Sequence, residues 1–287
     1  MYDLIVCGKG PAGIQAAVYA KRANLNVLVI GKDGGALAKT DKIANLYGFD
    51  LISGPDLLQR GLDQAQKLEI EVKTEEVTGI SYAMLGGFDV HTSTNKYETK
   101  TVILATGSPR NSLPIKGIKE FEGKGVSYCA ICDAFFYRKK IVAVLGNADY
   151  AAQEAHELVE VADQVIVFTN GLEATGHFDE RVKIITDKVL EVVGENTVKG
   201  IQLASGDFVE VAGVFVAIGS ASATDLALKM GAQVENNKIM VDEKKATNVP
   251  GLFAAGDCTP GLMQISRAMG DGCVAGLEAV AYVRSNK

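Results

Sequence analysis

Cys129 and Cys132 stand at C-x-x-C spacing, followed directly by Asp133 and an aromatic run, Phe135-Phe136-Tyr137. Sulfurs at that spacing can close a small ring at the start of a helix. The helix N-terminus then stabilises the thiolate that exchange chemistry needs. Near βαβ units the spacing reads first as a redox dithiol. A structural zinc site would need a second pair of ligands. Cys7, Cys258 and Cys273 are scattered singly, the three histidines do not cluster near them, and no metal is expected. The second signature is Gly8-Lys9-Gly10-Pro11-Ala12-Gly13, a G-x-G-x-x-G between an apolar strand at 2–7 and a helix at 14–22. Its glycines permit a tight turn and a close backbone approach to a pyrophosphate, and the helix N-terminus offers N–H donors. The alternative is a glycine-rich turn that holds no ligand.

The elements that position these residues follow from pattern. A length of 287 residues suggests about two domains. Hydrophobic content of 47% with 31 glycines fits a globular α/β chain rich in tight βα turns. Residues 26–30 form the next strand. Residues 55–68 carry Leu57, Leu58, Leu62, Ala65 and Leu68 at helical spacing, a stripe that reads as core. Residues 76–100 alternate around Gly86-Gly87, a β-meander, and 101–107 form a buried strand. Residues 112–118, with Pro114, form a linker. Strands are then expected at 140–145 and 164–168 around a helix at 152–161. They repeat the first βαβ unit, an internal duplication of the binding module. A net charge of −6 argues against nucleic acid. No apolar run approaches the roughly 18 residues of a membrane span. The first residues, Met1-Tyr2-Asp3-Leu4, lack the basic region of a signal peptide, so a cytoplasmic location is expected.

The stretch from Cys129 to Tyr137 resembles the active-site stretch of the low-molecular-weight thioredoxin reductases, and the resemblance covers nearly the whole chain. It implies an α/β fold of two Rossmann-like domains, the second inserted in the first. FAD would be bound by 1–113 and 245–287. A degenerate pyridine-nucleotide-type domain at 114–244 would carry the dithiol. Flavin contacts are then expected from Gly8, Gly10, Pro11, Ala12 and Gly13, from Gly35 and Ala36, and from Asn45. Ala105, Thr106 and Gly107 match the family's Ala-Thr-Gly return strand. Gly256 and Asp257 would hold the ribityl chain, and Gln264 and Ile265 open the last helix beneath the isoalloxazine. Ala36 stands where the family has glutamine, and Met263 where it has arginine.

By the same resemblance, Cys132 lies over the flavin and begins exchange, Cys129 resolves it, and Asp133 donates the proton. The alternative for Asp133 is a solvated helix N-cap. The substrate implied is thioredoxin, and the assembly a homodimer. Arg138-Lys139-Lys140 is a solvated face or a dock for an acidic protein.

The second glycine turn departs from the family. In Gly146-Asn147-Ala148-Asp149 the middle glycine is Ala148, and the family's His-Arg-Arg is Thr169-Asn170-Gly171. A 2′-phosphate would meet no cation there, and a 2′-hydroxyl no carboxylate. The pattern resembles the pyridine-nucleotide-independent members, whose donor is ferredoxin. A ferredoxin near about −400 mV against thioredoxin near about −270 mV leaves about 130 mV, or about 6 kcal/mol for two electrons. The alternatives are an NADPH-dependent reductase with an atypical site, a dithiol oxidase that uses oxygen, and a flavin-binding redox sensor.

Overall fold

The computed structural model describes residues 1–107, 115–219 and 221–286. The chain divides into two units, Met1–Arg110 with Ser222–Lys287, and Asn111–Ala221. The expected linker at 112–118 lies partly outside the described residues. The two compact units divide at Ala221–Ser222, ahead of the return expected at 244–245. The helix Ala223–Lys229 and the turn after it are tied to the first unit by hydrogen bonds. Tyr82 Oη donates to the Met230 carbonyl at 3.0 Å, and Asn248 Nδ2 to that of Gly231 at 3.0 Å.

The first unit opens with β1 (Tyr2–Cys7), α1 (Pro11–Arg22) and β2 (Val27–Ile30). Pro11 sits in the first turn of α1, where its missing N–H costs nothing. α2 (Gly54–Lys67) is capped by Ser53 Oγ, which accepts from Asp56 N at 3.1 Å. Then come β3 (Glu71–Lys73), β4 (Val77–Tyr82), β5 (Phe88–Thr92) and β6 (Lys96–Leu104). The meander is present, and the strand expected at 101–107 is the end of its third member. Sheet order is β3-β2-β1-β6-β5-β4. β1 runs parallel to β2 and β6, and Val29 and Leu104 are fully buried. These strands read as continuous apolar runs because helices cover the sheet.

The second unit holds β7 (Val126–Ser127), α3 (Ala130–Asp133), β8 (Ile141–Leu145), α4 (Asp149–Val159), β9 (Gln164–Phe168) and β10 (Lys183–Ile185). β11 (Val189–Gly194), β12 (Val198–Leu203) and β13 (Phe208–Glu210) form an antiparallel sheet, and β14 (Gly213–Val216) returns to the parallel one. The parallel order is β10-β9-β8-β14-β7. The β8–α4–β9 unit repeats β1–α1–β2, as the duplication requires. Residues 169–182, which join β9 to parallel β10, contain no helix.

The first unit is completed by α5 (Ala223–Lys229), β15 (Val234–Glu235), β16 (Lys238–Ile239), β17 (Leu252–Ala254) and α6 (Ile265–Ser285). β17 pairs in parallel with β6. The core lies where α1 and α6 pack together against β1 and β6, around Ala16, Ile103, Ala275 and Ala279. A Cβ at Gly272 would stand 2.1 Å from the Ala12 carbonyl oxygen, and one at Gly276 2.5 Å from that of Ala16. Exposed Gly270 takes no part: a Cβ there meets nothing within 4 Å. Gly272→Val therefore overpacks the crossing by about 1–3 kcal/mol and lowers the melting temperature by roughly 2–12 °C. Gly270→Ala leaves melting unchanged or raises it, since alanine is the better helix former by up to about 1 kcal/mol. Equal melting of the two variants would refute this account of the crossing.

Candidate functional site

In the second unit Cys129 and Cys132 form a disulfide with Cα atoms 5.3 Å apart. Cys129 is the N-cap of α3, and its sulfur accepts from Cys132 N at 3.2 Å. One N–H of the helix N-terminus thus points at the Cys129 sulfur. Cys129 is 4% exposed, whereas Cys132 is open to solvent. Asp133 closes the helix, its N–H donating to the Cys129 carbonyl at 3.3 Å. Burial, and then the Asp133 charge, push the Tyr137 phenol up. Phe135 and Phe136 stand exposed beside the dithiol, with the Arg138 guanidinium 5.7 Å from the Phe135 ring centroid.

In the first unit the nucleotide-type residues converge at the carboxyl ends of β1, β6 and β17. Gly8, at φ +121°, passes so close to the Ala105 carbonyl that a Cβ would stand 2.2 Å from its oxygen. Ala105 N donates to the Cys7 carbonyl at 2.7 Å. Gly256 faces Ala12, with 2.9 Å from an added Cβ to the alanine methyl. Pro11, Ala12, Gly13, Thr106, Gly107 and Asp257 therefore share one edge of the sheet. Asn45 and Gln264 meet, Nδ2 donating to Oε1 at 3.2 Å, and Ile265 packs beside Leu37, Ile43 and Leu46. Ala36 lies exposed at the start of the turn into Leu37, next to Gly35. The leucine stripe of α2 is only half-buried. Leu58 and Leu62 line a cavity of about 260 Å³ with Lys9 and Gly34, so this face is part of the edge and not core alone.

In the second unit Thr169, Asn170 and Gly171 follow β9. Thr169 Oγ1 donates to the Leu172 carbonyl at 2.6 Å, and Asn170 Oδ1 accepts from Val189 N at 2.9 Å. The nearest following arginine, Arg181, is committed to Asp179 at 2.7 Å and Glu160 at 2.8 Å. Its guanidinium holds the Asp179 carboxyl well below the usual carboxylate range.

A family model described as pyridine nucleotide-disulphide oxidoreductase matches residues 2–272. The chain belongs to that family. It is 35% identical to a thioredoxin reductase of Listeria innocua, over 100% of this chain and 95% of that one. A crystal structure of an atypical thioredoxin reductase from Desulfovibrio vulgaris Hildenborough superposes at a TM-score of 0.93, with 34% identity and 99% of each chain covered. A ferredoxin-flavin thioredoxin reductase from Clostridium acetobutylicum superposes at 0.71, with 36% identity over 99% of this chain and 98% of that one. This pyridine nucleotide-disulphide oxidoreductase is a disulfide oxidoreductase of two Rossmann-like domains, and its cofactor is FAD.

The first unit fits FAD. Among the described residues a Cβ at Gly10 meets nothing within 4 Å, and the same holds at Gly35 and Gly107, each at positive φ. The pyrophosphate turn is thus open backbone, as phosphate binding needs. Asp257 Oδ1 is buried without a hydrogen-bond partner among the described residues, and burial raises its carboxyl pKa. An orphaned carboxylate oxygen at that edge suits the hydroxyls of a ribityl chain.

The sequence reading missed three acids. Asp271, buried on α6, accepts from Gly256 N at 3.2 Å and pairs with Lys245 at 2.8 Å and Arg267 at 2.9 Å. Glu76, 8% exposed, pairs with Lys32, which stands where a ribose acid is usual. Glu154, 1% exposed, accepts from Ala130 N at 2.7 Å and so anchors the first turn of α3. The signal for Glu154 was a charge in line with Ala151 and Leu158 on the buried face of α4. Of the remaining thiols, Cys7 and Cys258 are fully buried and pushed up to about 12 by burial, which keeps them neutral. Cys273 is only half-buried, beside Tyr19.

Glu154→Ala orphans the Ala130 N–H at a cost of about 1–3 kcal/mol, while Glu154→Gln keeps an acceptor and loses less. Thermal denaturation compares them, and equal melting of the two variants would remove Glu154 as the anchor.

Proposed function

We propose that this enzyme reduces thioredoxin with electrons that reach its FAD from ferredoxin, and that NADPH is a poor donor. The carrying observation is the end of β9. Thr169, Asn170 and Gly171 offer neither cation nor acid to a nucleotide ribose, and Arg181 is already held by Asp179 and Glu160. Charged hydrogen bonds are worth about 1.5–3 kcal/mol each, so the loss of two or three weakens NADPH by roughly two to six powers of ten. The likeness to a ferredoxin-flavin thioredoxin reductase from Clostridium acetobutylicum, at 36% identity, supports the ferredoxin reading.

When bound, FAD supplies single-electron acceptance and delivery of a pair. Gly8, Gly10, Pro11, Ala12 and Gly13 hold its pyrophosphate. Gly35, Ala36, Asn45, Ala105, Thr106 and Gly107 line the same edge, and Gly256, Asp257, Gln264 and Ile265 complete it. In the second unit, two electrons and two protons convert the Cys129–Cys132 disulfide to a dithiol. Cys132, the accessible sulfur, attacks one sulfur of the thioredoxin disulfide as a thiolate and forms a mixed disulfide. Cys129 then attacks the Cys132 sulfur, which releases reduced thioredoxin and restores the intramolecular disulfide. Asp133 supplies the proton taken up by the departing thiolate. Exposed Phe135 and Phe136 offer an apolar dock beside the sulfurs, and Arg138, Lys139 and Lys140 a basic flank for an acidic protein.

The working form is a cytoplasmic homodimer. Exposed Tyr47, Leu51, Leu262 and Met263 flank the Asn45–Gln264 contact, an apolar surface that a second copy would cover. Free, buried Cys7 and Cys258 suit a reducing compartment.

Anaerobic mixing with reduced ferredoxin, NADPH and NADH decides the donor. Ferredoxin bleaches the flavin and supports thioredoxin reduction, whereas the nicotinamides do so slowly or not at all. Thioredoxin turnover with NADPH at a low-micromolar KM would make this an ordinary NADPH enzyme. Dithiol-dependent oxygen uptake at comparable rates would make it an oxidase. Cys129→Ser and Cys132→Ser each abolish thioredoxin reduction and keep the flavin absorbance; substantial turnover by either variant refutes the exchange assignment.

A further inference from the structure

The chain contains two copies of the same strand–turn–helix, and only one of them is open. In the first, a Cβ added at Gly10 meets nothing within 4 Å. In the second, the corresponding turn between β8 and α4 is covered by the chain itself. Thr175 N and Gly176 N donate to the Asn147 carbonyl at 2.7 and 3.0 Å, and Asn147 Nδ2 donates to the Glu173 carbonyl at 2.9 Å. Thr175 Oγ1 adds a third donor to the Asn147 carbonyl, at 3.3 Å. His177 is held at Asp149 Oδ1 through its backbone N–H at 3.3 Å and its ring Nδ1 at 3.0 Å. Gly176 lies directly on the turn. A Cβ there would stand 2.6 Å from the Ala148 carbonyl carbon and oxygen, and 3.0 Å from Asp149 N.

The covering segment is the β9–β10 connection, residues 169–182. A crossover between parallel strands is usually a helix packed on the sheet face. Here the connection has none, and it runs across the carboxyl ends of the strands instead. In an open parallel sheet those ends are where a dinucleotide lies, with its pyrophosphate against the turn. We propose that residues 173–177 occupy the pyrophosphate position of the second nucleotide turn, so that Gly176, Thr175 and His177 determine donor specificity by filling the seat. The lost ribose contacts are then a second barrier and not the first. Charge acts in the same direction. A pyrophosphate reaching the turn would have to displace this segment and then face the carboxylate of Asp149, which His177 now engages.

This inference rests on the reading that pyridine nucleotide is a poor donor, and its test separates the two. NADPH binding to the FAD-loaded protein is measured by calorimetry for three forms. They are the native chain, the repaired site Ala148→Gly/Asn170→Arg/Gly171→Arg, and the repaired site with Gly176→Val. The valine cannot rest on the turn and must lift the segment. The lifted form should bind NADPH at least tenfold tighter than the repaired site alone. A second lifted form replaces the valine with Thr175→Gly and Asp149→Ala, which remove holding contacts without crowding. It should behave alike, and it stands in if the valine form does not fold, as judged by flavin absorbance and circular dichroism. Equal affinity of repaired and lifted forms, or no binding by either, overturns the inference and leaves the donor reading intact. Low-micromolar binding by the native chain overturns both.

Discussion

The first unit depends on the close crossing of α1 and α6. The Ala12 and Ala16 carbonyls lie where side chains at Gly272 and Gly276 would have to stand. That contact sets α1 at the height where its N-terminus meets the ends of β1 and β6. It also brings α6 near enough for Asp271 to reach Gly256 N. A buried carboxylate with three partners is stable where an unpaired one would not be. Lys245 and Arg267 neutralise it, and the loop bearing Asp257 is fixed as a result. The cofactor edge is therefore a by-product of helix packing and one ion network.

The dithiol is positioned by a different device. α3 is a single turn, too short to be stable by itself. Its start is held from two sides, by the Cys129 sulfur as cap and by Glu154 from the helix below. Neither contact needs the S–S bond: the Cys129 sulfur accepts from Cys132 N, and Glu154 from Ala130 N. The turn thus keeps its shape through the redox cycle, while Cys132 stays at the surface where a protein disulfide can reach it.

Much of this was legible in the sequence. The strand–glycine–helix pattern located both nucleotide turns, and the C-x-x-C spacing located the disulfide, because both are local and depend on few residues. The meander followed from period-two alternation around Gly86 and Gly87. Contacts across long separations were not legible. Asp271 looks like a polar residue on an amphipathic helix, and only the crossing with α1 shows that it is buried. The packing of α5 with β4 was not legible either, because nothing local marks that helix as belonging with the first unit. The covering of the second turn was invisible for the same reason. Glu173, Thr175 and Gly176 read as an ordinary polar loop until the missing crossover helix is seen.

The two turns compare one architecture under two demands. Both follow an apolar parallel strand and open a helix, and both begin with a glycine whose neighbour strand passes close behind, Ala105 for Gly8 and Ala217 for Gly146. Backbone geometry is therefore preserved in the second copy although the residues in front of the turn differ. Strand packing explains this, since Gly146 must still clear the Ala217 carbonyl whatever lies in front of the turn. What changed is the solvent side, where Ala148 and Gly176 are now in contact. The second domain carries α3 in either case, because α4, packed on β8, supplies Glu154 beneath the dithiol. The domain holds its sulfurs in position through α4, and residues 173–177 lie against the turn on its other side.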